Sequence, residues 1–189
     1  NHGISLPTLP LISSVLRTAP MEGPTEIAVG GPDFSFRKHR DGGYVVTQRG
    51  ALIAPLTLDH MLIGMRYLGS LGGNHKLLRI RLGGHFLRDL ALARRWNATS
   101  VSPFERVRTM SPEPDEGINA EAMRNLAATW PVFGKAAVAE VWAGMMDITP
   151  DSLPVISPVA AIPGLTVASG FSGHGFGTSP AAGRLAADL

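Results

Sequence analysis

The chain has 189 residues, 44% of them hydrophobic and 17% charged, with a formal net charge of +2 and no cysteine. That is enough apolar mass for one large domain, or one domain with part of another, and too little charge imbalance for a nucleic-acid footprint. Without cysteine there are no disulfides, no thiolate metal sites and no cysteinyl link to a cofactor, which fits a reducing cytoplasm.

In chain order, LPLISSVLRTAP is rich in aliphatic and β-branched residues between prolines and reads as a strand. DFSFRKHRDGGYVVTQ reads as a hairpin. Phe34 and Phe36 share a face, Asp41-Gly42-Gly43 turns where positive φ costs little, and Tyr44 and Val46 lead back. From Thr57, an N-cap candidate, Leu58, Met61, Leu62, Met65 and Leu68 recur at helical spacing, with Gly69 as the stop. The basic cluster of Lys76, Arg79, Arg81, Arg88, Arg94 and Arg95 is answered locally only by Asp89. It reads as a solvated face rather than an anion-attracting rim. A second helical pattern runs through Phe86, Leu87, Leu90 and Ala91 and closes on Arg94 and Arg95, where cations suit the carbonyl end. A third begins near Asn119, with Met123, Leu126, Ala127 and Trp130 on one stripe, and Pro131 ends it. The methionines and aromatics of these stripes are expected in the core.

Beyond Pro131 extended structure returns. KAAVAEVWAGMMDI reads as a strand, TPDSLP as a tight turn and GLTVASG as another strand. Pro154, Pro158 and Pro163 exclude a membrane-spanning helix from the most apolar window, and no signal peptide opens the chain. Hairpin strands with helices grouped between them predict an α+β fold. A start at Asn1 and an end at Leu189 inside a helical pattern read as the ends of a piece cut from a longer protein.

The run GFSGHGFGTSPAAG, residues 170–183, carries the densest glycine spacing. Gly173, Gly175 and Gly177 follow a strand, and Ser179 with Pro180 reads as a helix cap and first turn. A dinucleotide fingerprint needs a further strand and an acidic residue about 20 positions on, and neither follows here. Two readings remain. Either a flat or anionic group approaches the bare backbone, met by the N–H groups of residues 176–181, or the helix entry is packed tightly on a neighbouring strand.

From about Val138 to the end, Trp142, Gly144, Thr149-Pro150-Asp151, Pro154, Gly170, Ser172-Gly173-His174-Gly175 and Gly183 together resemble the C-terminal end of the FAD-dependent D-amino-acid oxidase superfamily. That superfamily includes glycine and sarcosine oxidases and many bacterial amino-acid dehydrogenases. Upstream, the likeness rests on the FRKHRDGGY hairpin and on SPFERVRTMSPEPD. The resemblance implies a large, mostly antiparallel sheet with helices on one face over residues 1–150, the substrate domain. Residues 151–189 then form a strand, loop and helix returning to the flavin domain. It also implies that Ser172, Gly173, His174, Gly175, Phe176, Gly177 and Thr178 lie against the isoalloxazine ring, with the helix dipole favouring negative charge on the reduced flavin. The implied reaction is oxidation of a small-molecule amine or amino acid to an imine by hydride transfer to flavin N5.

The sequence departs from the family in three places. The N-terminal GxGxxG that holds the FAD pyrophosphate is absent, so the chain supplies one wall of a flavin site. The arginine that forks onto a substrate carboxylate after the Trp-x-Gly strand is replaced by Met146, and the cysteine that binds flavin covalently in monomeric sarcosine oxidases is replaced by Gly144. FAD is therefore expected to be non-covalent. Arg37, on the hairpin, is the candidate replacement cation, weighed against an exposed strand arginine. His174 is a candidate base, weighed against a residue that holds the loop by hydrogen bonds. A non-catalytic substrate-binding or assembly subunit, completing a flavin site with a partner chain, is the alternative function; the partners expected are a small-molecule substrate and either a homo-oligomer or a partner subunit.

Overall fold

The computed structural model describes residues 6–64, 78–92, 96, 97 and 99–189. In β1 (Leu9–Thr18) the side chains of Ile12, Ser14, Leu16 and Thr18 are buried, while Ser13, Val15 and Arg17 are half-buried. This alternation marks a strand with one face covered. It is followed by β2 (Val29–Gly30), β3 (Ser35–Lys38), β4 (Tyr44–Thr47), β5 (Leu52–Pro55), α1 (Leu58–Ile63), β6 (Leu78–Arg81), α2 (Gly84–Ala91), α3 (Pro103–Arg106) and α4 (Glu116–Thr129). A 3-10 turn (Pro131–Lys135), β7 (Val138–Ile148), β8 (Val155–Pro158), β9 (Thr166–Ser169) and α5 (Gly175–Asp188) complete the order. None of these helices is long and apolar enough to cross a membrane.

The fold is α+β with a mostly antiparallel sheet, as expected. β7 runs antiparallel along the whole of β1, so β4 and β5 share the opposite edge of β1, at Leu16 and Ile12 respectively. β3 and β2 continue from β4, and β6 joins β5 in parallel. β8 and β9 form a separate antiparallel pair. The hairpin turns at Gly42, φ 90°, and the Asp41 carboxylate accepts the Gly43 N–H at 2.9 Å, the turn chemistry the sequence predicts.

One face of the sheet is covered by α4 and the turn after it. Leu16, Phe34, Phe36, Tyr44 and Val46 pack against Ala122, Leu126 and Phe133, with Met123 and Trp130 alongside. The rings of Phe36 and Trp130 meet edge to face at 5.3 Å and those of Tyr44 and Phe133 at 5.1 Å, the preferred aromatic geometry. α4 begins at Glu116 rather than near Asn119, because Asp115 caps it by accepting the Ile118 N–H at 2.9 Å. The Ser14 hydroxyl takes the Asp115 N–H at 2.9 Å and so pins that cap to β1. The short α3 was not expected. It rests on a capping box in which Ser102 and Glu105 bond each other's backbone.

The expectation that the helical methionines lie in the core fails for Met61, which is 57% exposed, and the stripe of α2 is likewise open, with Leu87 70% exposed. Helical spacing of apolar residues shows that a face can be covered, not that anything among the described residues covers it. Met65, Leu68, Gly69, Lys76, Arg94 and Arg95 lie outside the described residues.

Arg79 and Arg81 of β6 are paired with Glu121 and Asp115 of the α4 region, so the basic face is answered by distant carboxylates. The guanidinium of Arg79 holds the Glu121 carboxyl below the usual carboxylate range. A depressed folded value contributes stability that is present above the ordinary glutamate pKa of about 4.3 and is lost as pH falls through the folded value. The pair is partly exposed, so the effect should be no more than about 1 kcal/mol. Thermal unfolding between pH 6 and pH 3 should show a steeper acid loss than in Glu121→Gln; parallel curves would remove the pair from the acid response.

Candidate functional site

The face of the sheet turned away from α4 is open. It carries Arg17 on β1, Arg37 on β3, Val45 on β4, and Glu140, Trp142, Gly144 and Met146 on β7, as the register requires. Arg17, Arg37, His39, Val45, Glu140 and Trp142 line a shallow depression of about 410 Å³. Arg17 is held inside it by Glu140, at 3.1 Å, and by Asp41. Arg37 is exposed and makes no ion pair among the described residues. It stands on the row of Val45, Arg17 and Glu140, whereas Met146 is six residues further along β7, roughly 20 Å at strand rise. The two candidates share a face but not a point.

Met146 stands instead at the glycine loop, with Gly144 two residues away on the same face. An added Cβ on Gly173 would lie 3.0 Å from the Met146 sulfur, while a Cβ on Gly144 would meet nothing within 4 Å. A dense knot of hydrogen bonds joins the loop to the end of β7. The Asp147 carboxylate accepts the Gly170 N–H at 2.6 Å and the Ser169 hydroxyl at 2.9 Å, and the Asp147 carbonyl accepts the Ser172 N–H at 3.1 Å. The buried Ser172 hydroxyl accepts the Thr149 N–H at 3.2 Å, and the Thr149 hydroxyl donates to the Leu153 carbonyl at 2.8 Å. Three of the four residues 170–173 have positive φ: Gly170, Ser172 and Gly173, at 74°, 52° and 85°. Asp147 and Thr149 are positioning residues that sequence reasoning did not single out for this role; the only signal was their place in MMDITPD beside the recognised turn.

The helix after the loop corrects an expectation. α5 begins at Gly175, with His174 at the cap, and Pro180 lies inside it rather than in its first turn. Pro180 has no N–H for the Phe176 carbonyl, and the Ser179 hydroxyl donates to that carbonyl instead, at 3.1 Å. Thr178 is helical, its N–H already given to the His174 carbonyl at 3.3 Å. Among the described residues the free N–H groups are therefore those of Gly175, Phe176 and Gly177, not those of residues 176–181. His174 holds the loop through its backbone, donating to the Phe171 carbonyl at 2.8 Å, and its ring makes no hydrogen bond among the described residues. Phe176 is fully exposed, and Gly177 faces open space.

Free donors at the positive end of a 14-residue helix, beside Gly177 with open space at its Cβ position, suit the edge of a flat ring that gains negative charge. Gly144 and Gly177 have open space where a Cβ would stand, whereas at Gly173 and Gly175 that space is taken by Met146 and Phe171. A solved L-amino acid deaminase from Proteus vulgaris is 30% identical to this chain with a TM-score of 0.89, covering 100% of this chain and 44% of its own. L-amino acid deaminase from Proteus myxofaciens, in complex with anthranilate, is 28% identical with a TM-score of 0.90, covering 100% and 42%. A curated Bos taurus protein, FAD-dependent oxidoreductase domain-containing protein 1, is 33% identical over 99 residues, 48% of this chain and 19% of that protein. This chain thus spans less than half of the length of the relatives it matches. The family model described as DAO: FAD dependent oxidoreductase matches residues 1–189, and the chain belongs to that family.

Proposed function

We propose that residues 1–189 are the C-terminal part of an FAD-dependent enzyme that oxidises an amine or amino acid to an imine. Residues 1–150 act as its substrate domain and residues 151–189 return to a flavin domain whose GxGxxG half lies outside this span. The observation that carries the reading is the start of α5: three free N–H groups follow a loop held against Met146, two residues from the open position at Gly144. Family membership and the likeness to the Proteus deaminases support it.

Bound FAD would supply the two-electron acceptor, so that the substrate's α-hydrogen leaves as hydride, its N–H proton passes to water and the C–N bond becomes C=N. The chain's own part is positioning. The end of α5 sets partial positive charge at the loop, and the knot around Asp147 fixes where that charge lies. Arg37 lines the depression on the row of Arg17 and Glu140, about 20 Å along the face from Met146, too far to hold the carboxylate of a small amino acid that reacts at the glycine loop. His174 holds the loop and moves no proton.

Full-length protein should purify yellow with FAD bound non-covalently; a colourless product that takes up no FAD on reconstitution overturns the proposal. Arg37→Met should therefore change kcat/KM for amino acids by less than about threefold, with flavin content unchanged; a loss of about tenfold or more would bring Arg37 to the substrate.

A further inference from the structure

Among the described residues one edge of β7 has no strand partner. Among them the strand pairs with β1 alone, over eleven residues. Pro10, opposite Asp147, has no N–H to give, and the Asp147 carbonyl is taken by the Ser172 N–H, so the backbone of Asp147 points away from β1. By the alternation of an antiparallel ladder, the N–H and C=O groups of Val141, Ala143 and Met145 point outward too. They make no hydrogen bond among the described residues. The stretch VWAGMM that contains them has no charge, lysine or proline, the usual means of blunting a free edge.

Under this edge lies a groove of about 520 Å³ between α4 and β7, lined by Val138, Val141, Met123, Ala127 and Asn119 among others. Val141 is 45% exposed although its side chain is on the face that α4 covers. Asn119 is only 5% exposed, and its Nδ2 has no hydrogen-bond partner among the described residues. Buried amide donors nearly always have one. The edge, the unfilled groove and the orphaned donor lie together.

We infer that a strand from the part of the polypeptide outside residues 1–189 adds to β7 at residues 141–145, fills the α4–β7 groove with alternate side chains, and accepts the Asn119 Nδ2 donor. The inference rests on the reading of this chain as part of a longer enzyme, in keeping with its covering 44% of the Proteus vulgaris deaminase. A tethered segment meets the edge at an effective concentration of about millimolar, which favours it over a second copy of the chain.

Residue-resolved hydrogen exchange on the full-length protein tests this without reference to flavin. The amides of Val141, Ala143 and Met145 should exchange at least about 1000-fold more slowly than in an unstructured peptide, like the inward amides of Trp142 and Gly144. Fast exchange at all three, with Trp142 and Gly144 protected, overturns the inference. Protection that vanishes on dilution to a monomer gives the edge to a second copy and also overturns it. Ala143→Pro provides an independent measurement: a free edge tolerates proline, whereas a paired one loses a ladder bond, so an unchanged Tm counts against the added strand. A colourless protein with slow amides would keep the strand and remove only the flavin reading, and a yellow protein with fast amides would do the reverse.

Discussion

Gly170→Ala should destabilise the full-length protein by roughly 2–4 kcal/mol, because two separate penalties fall on one methyl group. Gly170 has φ of 74°, a conformation that residues with a Cβ rarely adopt, and the added Cβ would stand 2.5 Å from Cγ2 of Thr149 and 3.5 Å from Cγ2 of Thr8. The nearer neighbour cannot move freely. Thr149 is buried and bonded to Ser172 and Leu153, and the Gly170 N–H is itself held by Asp147. Gly164 provides the control: its φ is 82°, yet a Cβ there would meet nothing within 4 Å. Gly164→Ala should therefore cost only the backbone strain, about 1 kcal/mol. Chemical denaturation of both variants separates the two penalties. If they lose equal stability, the close approach of β7, the turn at Thr149 and the glycine loop is not what makes Gly170 necessary.

Elements whose signal is local were legible in the sequence. The alternation of β1, the Phe34 and Phe36 face, the Asp41-Gly42-Gly43 turn and the Pro131 stop each depend on neighbours in the chain, and each stands where the pattern puts it. The start of α5 was misread because Ser179 and Pro180 carry strong start signals that the structure uses otherwise, with the Ser179 hydroxyl standing in for the N–H that Pro180 lacks. Local chemistry at a helix end has more than one solution, and choosing between them depends on Ser172 and Asp147 bringing the chain in at Gly175. The carboxylates that answer Arg79 and Arg81 were invisible for a similar reason, since they come from positions 42 and 34 residues away respectively. Of the site, the glycine loop was legible as a place of close approach, and Arg37, Gly144 and Met146 do lie on one sheet face. The sequence could not show that Arg37 stands far along that face from Met146, nor that Asp147 ties the loop to β7. Both follow from strand register, which no residue specifies alone.

Gly177→Val should separate the two readings of the loop more sharply than any change at Gly173 or Gly175. At Gly173 a side chain would be strained, with φ of 85°, and would press on the Met146 sulfur. At Gly175 it would stand 3.3 Å from Cβ of Phe171, so a lost cofactor and a disturbed loop would be confounded. Gly177 is helical and has no positive φ, and an added Cβ would meet nothing within 4 Å. Valine is a better helix former than glycine by a few tenths of a kcal/mol, so the stability of the flavin-free protein should be unchanged or slightly raised. If the flavin ring lies over the start of α5, the branched side chain enters the space that the ring needs, and flavin affinity should fall at least about tenfold, the effect of roughly 1.4 kcal/mol of lost contact. Gly183→Val, also on α5 with open space at its Cβ, should change neither quantity. The measurements are the flavin-to-protein absorbance ratio after dialysis and thermal unfolding of the flavin-free protein. Full flavin retention in Gly177→Val, with unfolding unaltered, would mean that the open ground before α5 belongs to no cofactor, and the assignment of the loop to FAD would fall with it.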